Sequence, residues 1–365
     1  MSAEPQRRGS NSSGGSGDAT SRRGFAGVLA TSAAAGSLLA LQGAVPPASA
    51  ADKKTIVITG ASSGIGLDAA TKLAAAGHDV YVACRTEDKA ATAAFTSKAT
   101  GAYACDLSSL DSIRTFVKLW GDRPIDVLCL NAGMAPATKG EAQYTKEGFE
   151  VAIGTNHLGH FLLANLLLDR LEASGAAEPR LIVTASSVHD PATPGGDVGS
   201  KATLGDMAGL AARATGAAPK FDMVDGGSYD GDKAYKDSKL CNVLFTRELN
   251  RRLTKKDSKV HVNCFSPGLI PTSGLFRSQN PLFVKVFGFA AGSVLGIAAT
   301  IGEGGDALSY MATSDELVGK GGLFLATDPG KPKSAFKART PSQEALDDAK
   351  AQRLWELSEK CVGLA

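Results

Sequence analysis

Short apolar segments alternate with longer stretches of helical spacing along most of this chain. The first apolar segment, Thr55 to Thr59, is rich in β-branched residues, and the stretch from Ile65 to Ala76 then has helical periodicity and stops at Gly77. Further apolar runs recur, with helical stretches between most of them, at residues 80–84, 102–105, 125–130, 181–185 and 260–265. Continuous apolar strands are typical of a parallel sheet that is covered by helices on both faces. The pattern therefore predicts an α/β fold with a single doubly wound parallel sheet over residues 51–365.

The first fifty residues differ from the rest in composition and are predicted to be a targeting leader. Residues 1–20 are rich in Ser and Gly, Arg22 and Arg23 precede a short apolar stretch, and an Ala-Ser-Ala sequence ends at Ala50. This order is typical of a twin-arginine signal that is cleaved, which would leave a mature chain starting at Ala51 and direct it to a thylakoid lumen or a bacterial periplasm. A plastid transit peptide, or an unprocessed leader, is the alternative interpretation.

Composition narrows the classes of function. The chain has 365 residues, of which 43% are hydrophobic and 21% charged, so it can bury a large core. Its 39 Lys and Arg exceed its 37 Asp and Glu only through the first fifty residues, so the rest of the chain is neutral, and this argues against a nucleic-acid partner. Six scattered cysteines without a Cys-x-x-Cys pair predict neither a disulfide framework nor a zinc site. A soluble enzyme that acts on a small ligand is the leading class.

The turn between the first strand and the first helix is predicted to bind a dinucleotide. Its sequence, Thr-Gly-Ala-Ser-Ser-Gly-Ile-Gly, places glycines where a tight turn, close approach to a pyrophosphate and close helix packing each exclude a β-carbon. The alternative is that these glycines serve the turn geometry only. The residues predicted to contact the cofactor here are Gly60, Ser62, Ser63, Gly64, Ile65 and Gly66.

The residue after the second strand indicates which dinucleotide is bound. Arg85 stands where an enzyme that uses NAD usually carries an acidic residue for the ribose hydroxyls. Arginine suits a 2′-phosphate, so we expect NADPH; a solvated surface arginine close to Glu87 is the alternative. Residues after later strands complete the predicted cofactor site, although Asp, Asn and Gly are also ordinary turn residues. They are Asp106, Leu107, Asn131, Ala132, Gly133, Pro267 and Gly268.

The strongest chemical signal is the sequence Tyr-Lys-Asp-Ser-Lys at residues 235–239, which opens a helical pattern reaching about Leu253. Residues four apart share a helix face, so the Lys239 ammonium is expected near the Tyr235 phenol, where it would lower the pKa of that phenol. Such a tyrosine is an acid or base for the reduction of a carbonyl or an alkene. On its own, this spacing is better explained by an exposed surface pair.

Polar residues upstream extend this candidate site. Ser187, one of two serines that end the fifth strand, is expected to donate a hydrogen bond to the reacting group or to the tyrosine. Asn156 is expected to hold a water that connects the lysine with solvent. His157 and His160 lie close by, but no third ligand with suitable spacing follows, so we expect structural or substrate-adjacent histidines and no metal.

The glycine turn, the Asn-Ala-Gly segment, the serine pair and the Tyr-Lys-Asp-Ser-Lys segment follow one another in an order that resembles the short-chain dehydrogenase/reductase family. The resemblance covers essentially all of residues 53–365. It implies one Rossmann domain, a nicotinamide cofactor, and a catalytic tetrad here carried by Asn156, Ser187, Tyr235 and Lys239.

A narrower resemblance, to the light-dependent protochlorophyllide reductases, rests on segments that lie far apart: residues 201–206, 231–242, 274–277 and 355–365. It implies NADPH-driven reduction of a ring double bond of protochlorophyllide, a magnesium porphyrin, to chlorophyllide in plastid chlorophyll biosynthesis. Tyr235 would be the proton donor or a pigment anchor. One departure concerns the pigment: that family has Tyr-Pro-Gly-Cys after the sixth strand, whereas this chain has Ser266-Pro267-Gly268-Leu269.

The spacing of the tetrad indicates an insertion beside the active site. Ser187 and Tyr235 are 48 residues apart, far more than the family ordinarily requires, which places the insertion at about residues 190–231. A long segment in that position is usually a lid or a binding loop. Its larger apolar residues are predicted to cover a flat ligand: Met207, Phe221, Met223 and Tyr229. A surface insertion without a role in binding is the alternative.

Two other functions fit the same residues. A dark-active carbonyl or retinol-type reductase would keep the cofactor site, and a non-catalytic protein that binds NADPH or pigment would keep the tetrad without turnover. The apolar stretch from Pro281 to Ile301 predicts a core helix, with a pocket-covering helix or a face resting on a thylakoid membrane as alternatives. The cysteines are expected to be small buried hydrophobic residues, and the sequence leaves a homo-oligomer open.

Overall fold

The apolar runs form one eight-stranded sheet. The computed structural model describes residues 53–138, 140–272, 274–276, 298–328, 331 and 333–365. The strands are β1 (Thr55–Thr59), β2 (Asp79–Cys84), β3 (Gly101–Ala104), β4 (Val127–Leu130), β5 (Arg180–Thr184), β6 (His261–Phe265), β7 (Phe324–Ala326) and β8 (Lys337–Arg339). Their order is β3-β2-β1-β4-β5-β6-β7-β8, and all neighbours are parallel except β7 and β8. The predicted parallel sheet is confirmed, and its first six strands lie within two residues of the predicted runs.

Helices cover both faces of this sheet. They are α1 (Gly64–Ala75), α2 (Glu87–Ser97), α3 (Leu110–Trp120), α4 (Val151–Ile153), α5 (Gly159–Glu172), α6 (Pro194–Asp197), α7 (Ala208–Ala214), α8 (Gly231–Lys255), α9 (Ile301–Thr313) and α10 (Asp348–Val362). A π-helical turn, Gly154–Leu158, joins α4 to α5. Side chains of β1 alternate between the two layers: Val57 packs with α3, α5, α8 and α10, whereas Ile56 and Ile58 pack with α1, α2 and α9.

The strand order reverses at β1, which places a ligand crevice at one edge of the sheet. β1 pairs with β2 on one side, where Thr59 lies opposite Ala83, and with β4 on the other, where Ile58 lies opposite Cys129. Ligands of doubly wound sheets bind beyond the carboxyl ends of the strands at such a reversal. The glycine turn after β1 and the Asn-Ala-Gly segment after β4 therefore meet at the same crevice.

The insertion packs into the core. Met207, Phe221 and Met223 expose only 0%, 5% and 1% of their surface. The Phe221 ring lies 6.2 Å from that of Phe149, which precedes α4. The prediction that these three side chains cover a ligand is wrong, because they are used to bury the insertion against the helical layer. Tyr229 is half-buried.

Two lysines at the start of α8 hold the insertion against that helix. Lys233 Nζ donates to the Thr203 carbonyl at 2.7 Å. Lys236 Nζ donates to the Ser200 carbonyl at 2.9 Å, and the Lys236 side chain is only 4% exposed. Tyr235 stands between the two lysines, so the insertion is fixed to the helix that carries the predicted catalytic tyrosine.

Two predicted segments lie wholly or mostly outside the described residues. They are the leader, at residues 1–50, and the apolar stretch from Pro281 to Ile301, of which residues 298–301 are described. Among the described residues, the segment Val151–Glu172 is long and apolar enough to span a membrane by length and composition. However, 72% of its apolar window is buried inside the fold, which is the property of a core helix.

Candidate active site

The glycine turn leaves no room for β-carbons at two of its three glycines. Gly60 has a φ of +67° and Gly64 a φ of +59°, in the left-handed region that favours glycine. A Cβ on Gly60 would lie 2.6 Å from the Ala132 Cα, and a Cβ on Gly66 would lie 2.6 Å from Asn131 Nδ2. Gly64 differs, because nothing lies within 4 Å of a Cβ placed there. The side of the turn at Gly64 is therefore open to a ligand.

The first turn of α1 offers backbone amides to an anion. Ser63 is the N-cap residue, its side chain makes no capping hydrogen bond, and the first turn contains no acidic residue. The helix start therefore combines N–H groups without a helical acceptor and the positive end of the helix dipole. This arrangement fits the pyrophosphate of a dinucleotide.

A buried threonine and histidine shape the turn after β4. Thr59 Oγ1 accepts hydrogen bonds from the backbone N–H groups of Asn131 at 2.9 Å and Ala132 at 3.0 Å. His160 Nε2 lies 3.0 Å from the same hydroxyl, and His160 Nδ1 lies 3.1 Å from the Asn156 carbonyl. Burial lowers the pKa of His160 to about 3, so its ring is neutral. This pair was not predicted as part of the site, because its members come from β1 and α5 and meet only in the folded chain.

Two cations, Arg85 and Lys89, line the crevice beyond β2. Both are exposed. The acidic side chain among the described lining residues, Asp106, accepts hydrogen bonds from the backbone and the hydroxyl of Ser108 at 3.0 and 2.7 Å. Arg85 was predicted from the sequence and Lys89 was not, although it stands only four residues further on, in the first turn of α2. Two positive charges at this point favour a dinucleotide with a 2′-phosphate.

Replacing both Arg85 and Lys89 by Ala should raise the KM for NADPH by about 10- to 100-fold and leave the KM for NADH nearly unchanged. Each lost charge-assisted hydrogen bond to phosphate weakens binding by roughly 10-fold. Steady-state kinetics with each nucleotide measure both constants. Lys118→Ala is the control, because it removes an exposed charge from α3. Equal losses with NADPH and NADH would contradict a 2′-phosphate site here.

Tyr235 and Lys239 lie on one face of α8, as predicted, but their electrostatic relation differs from the prediction. The Lys239 Nζ atom is 5.6 Å from the centre of the Tyr235 ring and donates a hydrogen bond to the Thr184 carbonyl at 3.0 Å. Burial lowers the pKa of Lys239 to about 8. Burial also raises the pKa of Tyr235, and a hydrogen bond with Ser186 offsets part of that rise. The expected lowering of the tyrosine pKa by the lysine is wrong, because desolvation of the phenolate outweighs a cation at this distance.

The serine beside the tyrosine is Ser186 and not Ser187. The Ser186 side chain lies beside the Tyr235 phenol and lowers its pKa, and Ser186 lines the crevice whereas Ser187 is not among the lining residues. The strand β5 ends at Thr184, and the short 3₁₀ turn Ser187–His189 begins immediately after Ser186. The first serine of the pair therefore lines the crevice, and the catalytic role of Ser187 stays a prediction.

Asn156 lies within the π-helical turn and connects three parts of the site. Its Oδ1 accepts from the Met134 N–H at 2.9 Å, and its Nδ2 donates to the Met134 carbonyl and to Ser238 Oγ, both at 2.9 Å. The side chain therefore ties the segment after β4 to the helix that carries Tyr235. The water link between Asn156 and Lys239 stays a prediction.

The value of kcat/KM for NADPH should fall as the pH rises through about 8. Burial places the pKa of Lys239 at about 8, and deprotonation removes the ammonium that would donate to the cofactor. A pH series of initial rates measures this fall. Lys239→Arg should move it to higher pH, because arginine stays charged up to about pH 12. A fall that remains near pH 8 in Lys239→Arg would assign it to another group.

The predicted cofactor residues come together around a single crevice. It is lined by every one of Gly60, Ser62, Ser63, Gly64, Ile65, Gly66, Arg85, Asp106, Leu107, Asn131, Ala132, Gly133, Tyr235, Lys239, Pro267 and Gly268. Several lining residues were not predicted: Lys89, Cys105, Met134, Thr155, Thr184, Ala185, Ser186, Ile270, Gly274 and Leu275. Six of these ten lie within two positions of a predicted residue, so extending each predicted segment by two positions would have found them.

His157 and the cysteines are structural. His157 is buried, its Nε2 lies 2.9 Å from Ser358 Oγ, and burial lowers its pKa to about 3. All six cysteines are buried free thiols, as expected. Burial raises the pKa of Cys105, which lines the crevice, to about 12 and that of Cys84, which precedes Arg85, to about 11, so both thiols are protonated at neutral pH.

Comparison with known proteins gives a family. The model of the short chain dehydrogenase family matches residues 54–200. The chloroplastic protochlorophyllide reductase of Cucumis sativus is 42% identical over 320 residues, which cover 86% of this chain and 79% of that protein. The protochlorophyllide reductase of Avena sativa is 43% identical over 318 residues, which cover 85% of this chain and 100% of that protein.

Solved structures share the fold. An uncharacterised protein of Mycobacterium paratuberculosis matches with a TM-score of 0.64 and 29% identity, over 87% of this chain and 96% of that one. The RhlG/NADP active-site complex of Pseudomonas aeruginosa matches with a TM-score of 0.56 and 23% identity, over 76% and 96% of the two chains. At that identity the second likeness supports the fold alone.

Proposed function

This chain belongs to the protochlorophyllide reductases, within the short-chain dehydrogenase/reductase family, and we propose that it reduces a ring double bond of protochlorophyllide to give chlorophyllide, with NADPH as the hydride donor and light as the trigger. One observation carries the proposal: Tyr235, Ser186 and Lys239 line the same crevice as the open start of α1 and the Arg85 side chain.

The residues of the crevice fit NADPH. The space beside Gly64 and the uncapped start of α1 suit the pyrophosphate, and Arg85 with Lys89 suits the 2′-phosphate. Bound there, NADPH supplies the hydride for one carbon of the pigment double bond. The Asn131–Gly133 segment, held by Thr59, would support the ribose side of the cofactor.

The chain itself supplies the proton and its positioning. Because burial raises the pKa of Tyr235, its phenol is protonated at neutral pH and can donate a proton to the second carbon. The Ser186 hydroxyl, which lies beside this phenol, orients it in this proposal. Lys239, held by the Thr184 carbonyl, is placed to donate to the ribose hydroxyls while its amine is protonated. In this proposal Ser187 contributes its backbone groups and not its hydroxyl.

An absorbance time course on the purified protein with NADPH and protochlorophyllide tests the function. We expect chlorophyllide to appear only after brief illumination and not during a preceding dark interval. Pigment that binds but stays unchanged under light would favour a carrier. NADPH consumed in the dark with aldehydes would favour an ordinary carbonyl reductase. Either result would refute the proposed photochemistry.

The location and assembly of the protein are a further part of the proposal. The chloroplastic names of relatives support a plastid location. Residues 1–50 act as a cleaved leader in this proposal, and residues 51–365 form the single catalytic domain with its insertion. We also propose that the protein associates peripherally with the thylakoid membrane and that it forms a homo-oligomer. Fractionation of isolated plastids and size-exclusion chromatography of the purified protein test these points.

A further inference from the structure

The backbone of the two-serine turn is held by three side chains: His189 at the end of the turn, Thr193 in the segment after it, and Ser266 after β6. The Ser186 carbonyl lies 2.7 Å from His189 Nδ1. The Ser187 N–H donates to Ser266 Oγ at 3.0 Å, and the Ser187 carbonyl accepts from Thr193 Oγ1 at 2.9 Å. The Ser186 side chain, which lies beside Tyr235, is therefore carried by a backbone that is held on both sides.

The hydrogen bonds of His189 define its protonation state. Ser342 N–H, from the segment after β8, donates to His189 Nε2 at 3.2 Å, so Nε2 carries no proton. In the neutral ring the proton is then on Nδ1, which donates to the Ser186 carbonyl. The ring is only 1% exposed and packs edge-on against Phe324 of β7 at 4.9 Å. Burial lowers the pKa of His189, which favours this neutral form.

Ser266 is a residue at which this chain differs from the protochlorophyllide reductases, and its contacts connect it with the serine turn. It stands at the position where the resembling family has tyrosine, and it is 3% exposed. Its N–H donates to the Leu325 carbonyl at 2.8 Å, which fixes it on the sheet. Its hydroxyl accepts from Ser187 N–H and is thereby directed to the serine turn.

We propose that His189 and Ser266 are positioning residues for the reduction, which together aim the Ser186 hydroxyl at the Tyr235 phenol. His189 holds the carbonyl of Ser186, and Ser266 holds the next amide along the chain. The inference rests on the proposed function, because its kinetic test needs turnover.

Paired substitutions of His189 separate its donor from its acceptor. In His189→Asn the side-chain amide reaches the place of Nδ1 and keeps a donor for Ser186, whereas in His189→Gln it reaches the place of Nε2 and loses that donor. We expect kcat for chlorophyllide formation to fall about 3- to 10-fold in His189→Gln, the usual effect of one lost hydrogen bond, and to stay within about twofold of wild type in His189→Asn. The KM for NADPH should change by less than about twofold in both.

Ser266→Ala tests the second contact. We expect a fall in kcat of similar size, about 3- to 10-fold, and the double variant with His189→Gln should lose less than the product of the two single effects, because both hold one turn. His261→Gln is the matched control: it makes the same change at the start of β6, where the ring lies 3.9 Å from Glu178, and kcat should not change. Unchanged kcat in both His189→Gln and Ser266→Ala, or a fall in kcat matched by a rise in the KM for NADPH, would overturn the proposal.

Nitrogen NMR of the histidine rings tests the contact without turnover. We expect His189, identified by its loss in His189→Gln, to show the Nδ1–H form throughout pH 6–8. An Nε2–H form or a charged ring in that range would refute the inference. A wild-type protein that shows the Nδ1–H form but makes no chlorophyllide in light would instead refute the proposed function and leave the contact standing.

Discussion

Gly64→Val should abolish detectable NADPH binding, with Kd raised on the order of 100-fold or more. The φ of +59° at Gly64 disfavours any side chain, and a β-branched one would occupy the open space beside the uncapped start of α1. The pyrophosphate would then lose two or more charge-assisted hydrogen bonds of roughly 1.5–3 kcal/mol each. Titration of the purified variant with NADPH, followed by fluorescence or calorimetry, measures the loss.

Gly216→Val separates the loss of the phosphate site from backbone strain. Gly216 has a φ of +75° and, like Gly64, nothing lies within 4 Å of a Cβ placed there, but it stands after α7 and away from the crevice. The two variants should lose similar thermal stability, and only Gly64→Val should lose NADPH. NADPH binding by Gly64→Val with near wild-type Kd would contradict the placement of the pyrophosphate.

The parts of the site that local sequence determines were predictable. The glycine turn is one example, because tight turns and close approaches exclude β-carbons at fixed positions, and Gly60 and Gly66 meet Ala132 and Asn131 as that reasoning requires. The shared face of Tyr235 and Lys239 is another, because helical periodicity alone places residues four apart together. The six longer strands were also predictable from local sequence, since each is a continuous apolar run.

The parts that depend on tertiary packing were not predictable. The choice between Ser186 and Ser187 is made by the turn after β5, where no periodicity applies. The large apolar residues of the insertion are equally ambiguous in sequence, because Met207 and Phe221 suit a core as well as a ligand surface, and burial in the core prevailed. β7 and β8 have three residues each, which is too short for a pattern to identify.

The pKa of Tyr235 shows how burial can reverse an argument made from spacing. A cation four residues away on a helix lowers a tyrosine pKa, provided that both groups stay solvated or meet closely. Here Lys239 bonds to the Thr184 carbonyl instead, and the loss of water around the phenol dominates. The result suits a proton donor better than a base, since the phenol keeps its proton at neutral pH.

Tyr235→Phe should lower kcat for chlorophyllide formation in light by about 100-fold or more, while the KM for NADPH changes by less than about twofold. Phenylalanine keeps the ring and its packing but removes the proton donor, and general acids of this kind contribute about 10²- to 10⁴-fold. Single-turnover absorbance after a light flash, at saturating NADPH and pigment, measures the chemical step directly.

The two serines provide the comparison that decides whether this hydroxyl is oriented as the structure shows. Ser186→Ala should lower kcat about 3- to 10-fold, because it removes the hydroxyl proposed to orient Tyr235, and Ser187→Ala should stay near wild type, because Ser187 is not among the residues that line the crevice. Added to Tyr235→Phe, Ser186→Ala should have almost no further effect, since its partner is already gone. Wild-type turnover in Tyr235→Phe would contradict the proposed role of the tyrosine as proton donor. A larger loss of kcat in Ser187→Ala than in Ser186→Ala would show that Ser187, the serine predicted from the sequence, is the one that acts in the reduction.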